Sequence, residues 1–257
     1  MKKRPSHNKI RLWAVVFWLV VWQGAGMMLA ARYSHGHLLL ASPLDAVARL
    51  LELALTAAFW QSVAGSAAHI LGGFLVSCVG GVVLAALAAR FTRVEELLSP
   101  LVAAVKAVPV VSFIILALVW LKAEQLPLFI AALMVFPPVY LQVLEGIRQT
   151  DRQLLEMASV FRVPVLRRMT GIYLPAVLPY FRTAVSLGLG LCWKSGVAAE
   201  VIGLPAGSIG EALYNSKVYF MTPDLFAWTA VIVTVSIVFE RLFLGAVDAL
   251  AGKVGAR

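Results

Sequence analysis

Three ionisable side chains, Lys106, Lys194 and Glu200, stand inside long apolar runs of this chain. A charge in hydrocarbon is costly and faces either a cavity or a partner, so at these positions the sequence is equipped to handle an ion or a polar solute. Lys194 and Glu200 are six residues apart on one helix and point roughly 120° away from each other, so they are not a direct pair. Glu200 continues a four-residue row formed by Ala184, Gly188, Cys192 and Gly196. The ammonium of Lys106 is placed to line an aqueous path for an anion. For all three, structural pairing and a role in solute passage are both open on sequence grounds.

Other chemistry is poorly supplied. His35 and His37 flank a glycine, and with His7 and His69 they offer too few convergent ligands for a metal site. Cys78 and Cys192 have no cysteine or histidine at ligand spacing, and both read as small packing residues. The phosphate-binding pattern G-x-x-x-x-G-K-[ST] is absent, because the only Gly-Lys pair, Gly252 and Lys253, is followed by valine. The chain is therefore not a nucleotide hydrolase, and it is expected to carry no catalytic residue, metal or cofactor of its own. An integral membrane enzyme would gather several histidines or carboxylates at one face, and no such gathering is visible.

A second constellation is the charged island from Glu156 to Pro175, EMASVFRVPVLRRMTGIYLP, set between two apolar stretches. The segment DRQLLEMASVFRVP suits a short helix with Leu154, Leu155, Ala158 and Phe161 on its apolar face. Pro164 forces a break, and a second short helix carries Arg167 and Arg168 before Pro175 opens the next apolar run. An apolar face outside a membrane needs a protein surface or lipid headgroups to cover it.

These residues are positioned by an all-α, polytopic membrane protein. The chain has 257 residues, 61% hydrophobic and 14% charged, more apolar surface than a soluble domain of this size can bury. Runs of about 20 apolar residues cross a core of roughly 30 Å as helices. About six are expected, near 12–31, 67–89, 101–121, 126–144, 176–199 and 225–247. The first is long and rich in tryptophan, and is taken as a retained span rather than a cleaved signal. Most lysines and arginines fall on the side of the amino terminus, whereas the opposite loops keep Arg32, Arg49, Lys122 and Lys217. Positive charge resists translocation, so both termini are expected in the cytoplasm. The net charge of +9 is explained by this asymmetry and by anionic lipid, without nucleic acid.

The expected organisation is a cytoplasmic tail over 1–11, a first transmembrane helix over 12–31 and a periplasmic amphipathic segment over 32–65. A core over 66–247 contains the island, and a cytoplasmic tail covers 248–257. Pro43 suits the start of the amphipathic helix. Gly73, Ser77, Gly81, Ala85 and Ala89 recur every fourth residue, which gives a helix face that another helix can approach closely. Pro109, Pro127, Pro137 and Pro138 punctuate the middle spans.

The island resembles the EAA loop of binding-protein-dependent ABC importer permeases. Glu156, Met157 and Ala158 match the triplet, and Ile172, Leu174 and Pro175 match its closing I-x-L-P at the family's spacing. The flanks, VYLQVLEGIRQTDRQLLEMA and LPAVLPYFRTAVSLGLGLCWKSGVAAEVIGLPAGSIG, are similar to the nitrate, sulfonate and taurine type, and the likeness runs from roughly Ser66 to Leu244. It implies a type I ABC importer permease (MetI-like) fold in the inner membrane, acting as a homodimer with ABC ATPase subunits and an extracytoplasmic solute-binding protein. Nucleotide would be bound by the ATPase partner. By resemblance Glu156, Ala158, Phe161 and Arg162 lie at the ATPase contact, and Val201 to Asp224 looks like the outer loop where the binding protein docks. The solute implied is a small anion or a vitamin precursor. The family has alanine at Met157 and, at Arg162, a glycine that permits the turn. Without that glycine the turn is expected at Pro164. The competing class is an ion-coupled secondary transporter, which would favour midplane carboxylates and two related halves.

Overall fold

Pro43 starts a helix as expected, and Ser42 before it explains why. The Ser42 hydroxyl accepts from the Asp45 N–H at 3.3 Å while the Asp45 carboxylate accepts from the Ser42 N–H at 3.1 Å, a reciprocal cap. The computed structural model describes residues 12–32 and 40–255; the expected 1–11 tail, His35 and His37 lie outside them. Among the described residues there are helices and no strands. In chain order they are α1 (Leu12–Arg32), α2 (Pro43–Ala54), α3 (Ala57–Arg90), α4 (Thr92–Ala107), α5 (Val110–Ala117) and α6 (Leu126–Arg148). Then come α7 (Arg152–Val160), α8 (Val165–Arg168), a π-helical turn (Met169–Tyr173), α9 (Leu174–Gly203), α10 (Ile209–Val218) and α11 (Thr222–Gly255).

Among the described residues four helical stretches are long and apolar enough to cross a membrane: Ala57–Arg90, Ala123–Arg148, Val165–Gly203 and Thr222–Ala249. The expected third span is a correction. It is not one rod but α4 and α5, bent by 106° at a break. Val108 is extended there, with ψ 133°, and Pro109, at ψ 136°, caps α5 without a backbone N–H to continue α4. The first apolar helix, α1, runs Leu12–Arg32 and covers the expected 12–31. Two boundaries also move. The amphipathic segment ends at Ala54, and residues from Ala57 belong to the long α3, while α11 stays helical to Gly255 through most of the expected tail.

The chain divides into two units, one of Met1–Trp60 with Ala212–Val231 and one of Gln61–Glu211 with Ile232–Arg257. In the first, Trp22 Nε1 donates to the Ala41 carbonyl at 3.0 Å, and Arg49 grips Asp224 at 2.6 and 3.2 Å. Asp224, and then Glu52, hold the Arg49 guanidinium above its usual range. Phe59 stacks on Trp228 with ring centres 5.0 Å apart.

The second unit has its core where α3 and α9 close on α6, with Ile70, Phe74, Val135, Val139, Val185, Leu189 and Trp193 buried together. The α9 row faces inward, and the α3 row does so as far as Ala85, while Ala89 at its end is exposed. Gly73, Ser77, Gly81 and Ala85 of α3 are buried, as are Ala184, Gly188, Cys192 and Gly196 of α9. Ser77 Oγ donates to the Ala132 carbonyl of α6 at 2.8 Å. A Cβ added at Gly81 would stand 2.7 Å from Val139 Cγ1, and one at Gly196 would stand 2.6 Å from Ile70 Cγ1. The rows are thus the seam of this bundle, where a missing side chain lets helices approach.

Gly196→Ala should therefore lower stability by about 1–3 kcal/mol through overpacking. Gly190→Ala, with nothing within 4 Å of the added Cβ, should be neutral or stabilise by about 0.5–1 kcal/mol. Thermal unfolding of the two purified variants in the same detergent checks the contrast, and equal shifts would contradict the seam.

Candidate functional site

The charged island folds as two short helices separated by a tight turn. Asp151 caps α7, its carboxylate accepting from the Gln153 N–H at 2.8 Å. At the other end, Arg162 rather than Pro164 makes the turn, which corrects the sequence expectation: Arg162 has φ 49°, in the left-handed region. Its N–H donates to the Ser159 carbonyl at 3.1 Å, and the Val163 N–H donates to the Ala158 carbonyl at 2.9 Å. These are the two bonds of a Schellman motif, whose residue beyond the helix cap must be left-handed. Pro164 follows as the cap of α8.

Arg168 supplies what a sequence reading did not assign. Its Nε donates to the Val163 carbonyl at 2.9 Å and its Nη2 to the Ala158 carbonyl at 3.0 Å, so one guanidinium spans the turn from inside. Of the expected apolar face only Ala158 is fully buried, and Leu155 is half-buried. Leu154, Met157, Val160, Phe161, Val165 and Leu166 are exposed, Phe161 at 74%. Glu156 and Arg162 are also exposed. Beyond α8, Ile172 lies in the π-helical turn, and Leu174 and Pro175 begin α9. The Leu174 N–H reaches back to the Met169 carbonyl to close that turn.

At the far end of α9 the structure gives Glu200 its partners. Glu200 is fully buried. Its Oε2 accepts from Ser66 Oγ at 2.8 Å and from the Gly210 N–H at 3.0 Å, while Ser66 Oγ accepts from the Ile209 N–H at 2.9 Å. Ser208 Oγ accepts from the Glu211 N–H at 3.0 Å. The first N–H groups of α10, which have no partner within their own helix, are thus taken up by Ser66, Glu200 and Ser208, and an anion is favoured there. A Cβ on Gly210 would lie 2.6 Å from the Glu200 carbonyl carbon, so only glycine lets α10 start this close. Nothing local in the sequence announced Ser66, which is 134 residues from its partner.

Lys194 is exposed on α9 and is not brought to Glu200. Lys106 is also exposed, on the wall of a groove between α4 and α6. The structure therefore does not gather the three ionisable residues into one site. Cys78 and Cys192 are free and buried in the core.

Residues 81–255 match the family described as binding-protein-dependent transport system inner membrane component. The chain belongs to this family. It is 27% identical over 237 residues to a transport permease of Bacillus subtilis (strain 168) named for aliphatic sulfonates, a match covering 88% of this chain and 82% of that one. A riboflavin transport system permease protein of Chloroflexus aurantiacus is 28% identical over 85% of this chain and 80% of its own length. The taurine transport system permease protein of Escherichia coli (strain K12) is 24% identical over 79% and 76%. The protein is thus an ABC importer permease of the nitrate, sulfonate and taurine type, an inner membrane subunit that is not an enzyme and that works with ATPase and solute-binding partners. Membership sets aside the secondary transporter and the membrane enzyme.

Two outcomes follow from the geometry. Arg162→Gly should relieve the left-handed strain of a side-chain-bearing residue and stabilise the turn by about 1 kcal/mol, whereas Arg168→Ala should loosen it by a similar amount. Amide exchange at Val163 should slow in the first variant and quicken in the second. At the other end, Glu200→Gln keeps an oxygen acceptor for Ser66 and Gly210 and should melt close to wild type. Glu200→Ala strands buried donors and should lose about 2–4 kcal/mol in a denaturation series.

Proposed function

We propose that two copies of this chain form the translocation path of the importer, and that the turn between α7 and α8 carries the contact with the ATPase. The observation that supports this is the exposed apolar cluster of Val160, Phe161, Val165 and Leu166 on a turn fixed by backbone bonds and by Arg168. Arg152, Arg162 and Arg167 are exposed beside it, giving an apolar centre with a charged rim, as in a protein interface. Glu156, Met157 and Ala158 lie on α7 and Ile172, Leu174 and Pro175 lead into α9. A pull on the turn therefore reaches a membrane helix directly.

In this scheme both termini and the island are cytoplasmic, and the loop between α9 and α10 faces the solute-binding protein. Six helices enclose little space alone, so the path forms between copies and alternates as the ATPase subunits draw the two turns together. ATP is bound by the partner, and this chain takes no cofactor. Basic residues at the cytoplasmic face contact anionic lipid. Lys106, at the wall of a groove, and Lys194, exposed on α9, are the path candidates of this scheme, while the partners of Glu200 favour a structural role for it. Relatives named for sulfonates and taurine favour a small solute with an anionic group, and the riboflavin relative keeps a vitamin within the family's range.

Tagged wild-type chain purified from its native membrane should bring down an ATP-binding subunit. Phe161→Asp and Glu156→Lys should reduce its recovery about tenfold or more, as loss of a central contact does. Equal recovery with all three chains would place the ATPase contact elsewhere.

A further inference from the structure

A groove of about 530 Å³ lies between the end of α3, the end of α6 and the segment that leads from the π-helical turn into α9. Its lining has a direction. The residues furthest into the apolar stretches are valines, Val82 of α3, Val143 of α6 and Val177 of α9, whereas Arg90 ends α3, and Thr170 and Tyr173 belong to the π-helical turn before α9. Among the described residues Arg90 is the one charge of the lining, and it is exposed and forms no ion pair. Its guanidinium carbon lies 5.7 Å from the centre of the Phe91 ring, a contact that orients the cation and leaves its charge in place. Thr170 Oγ1 donates its proton to the Leu166 carbonyl at 3.0 Å, so the Tyr173 hydroxyl is the second donor at the polar end. From Val82 to Arg90 the helix α3 rises about 12 Å, close to the roughly 15 Å of hydrocarbon in one leaflet.

A slot that is apolar along its length and ends in an unpaired cation is complementary to an amphiphile with an anionic head. Water is a poor occupant of its apolar part, and an acyl chain is the apolar material at hand beside a membrane helix. A second copy of the chain suits the slot less well, because it must bring a carboxylate to Arg90 or bury the guanidinium unpaired. We propose that the groove binds one anionic phospholipid, its phosphate held by Arg90 and the Tyr173 hydroxyl and one acyl chain laid over Val82, Val143 and Val177. The proposal rests on the orientation given above, which puts Arg90 at the cytoplasmic face, so the lipid comes from the inner leaflet. One wall of the site is the π-helical turn from Met169 to Tyr173, the segment that joins the island to α9. A bound chain packs against that turn and restricts it.

The full-length chain, purified in mild detergent, is titrated with dioleoylphosphatidylglycerol or dioleoylphosphatidylcholine and followed by native mass spectrometry, which reads bound lipid and oligomeric state together. The two probes share their acyl chains and differ in head-group charge. Wild type should hold one phosphatidylglycerol about fivefold more tightly than phosphatidylcholine, the preference that one arginine near a head group supplies. Arg90→Gln should bring the two lipids within about twofold of each other. Arg93 is exposed outside the groove, and Arg93→Gln should leave the preference unchanged. Ala86→Trp fills the slot from an exposed position of α3 and should lose most of the binding of either lipid, while inorganic phosphate should not displace phosphatidylglycerol. Equal affinity of wild type for the two lipids, the same response to Arg90→Gln and Arg93→Gln, displacement by phosphate, or full retention of lipid by Ala86→Trp would overturn the site. A changed oligomeric state of Ala86→Trp with lipid binding unaltered would give the groove to a second copy instead. Recovery of the ATPase subunit judges the importer scheme separately, and its failure would leave these affinities standing.

Discussion

The structure depends on the close approach of α3 and α9 along rows that lack bulky side chains. Gly196 of α9 meets Ile70 of α3, and one turn further along both helices Glu200 meets Ser66. These two contacts belong to the same pair of rows, since 196 and 200 lie on one face of α9 and 66 and 70 on one face of α3. The carboxylate reaches the serine only because the glycine allows the helices to close a turn earlier. A seam made for packing thereby sets the position of a buried acid and, through it, the start of α10.

The same helix connects the two ends of the proposed mechanism. At 30 residues, α9 is a rod of roughly 45 Å, with the π-helical turn at one end and the Glu200 clamp at the other. Between them Arg182 binds Asp248 of α11 at 2.5 and 3.0 Å, and Ser186 donates to Glu240 at 3.1 Å. A displacement at Phe161 therefore meets a helix held along its length. It either moves α9 as a body or is absorbed in the π-helical turn, the one place where the hydrogen-bond ladder is widened.

Much of this was legible in the sequence, and the parts that were not share a cause. Helical periodicity and apolar length marked the long helices, and the spacing of Gly73, Ser77 and Gly81 marked the seam. Proline was an uneven guide. Pro109 breaks a span, while Pro127 sits in the first turn of α6 and Pro137 and Pro138 are carried inside it. The residue type is the same, and the outcome depends on whether neighbouring helices can satisfy the freed carbonyls, which no local pattern records. Ser66 and Arg168 were likewise invisible as functional residues, because each acts on backbone or side-chain atoms brought to it by tertiary folding.

Arg162 shows how such a contact overrides local preference. A residue with a Cβ loses about 1–2 kcal/mol in the left-handed region relative to the right-handed one, which is why sequence alone favoured Pro164 as the turn. Against that stand two Schellman bonds and the two bonds from Arg168, each contributing about 0.5–1.5 kcal/mol. The sum exceeds the strain, so the chain turns at Arg162 without the glycine usual in its family. The turn is consequently specified by side-chain chemistry ten residues from α7's last buried alanine. This ties the shape of the proposed docking surface to Arg168, the last residue of α8, so that the two short helices would move together if that surface were pulled.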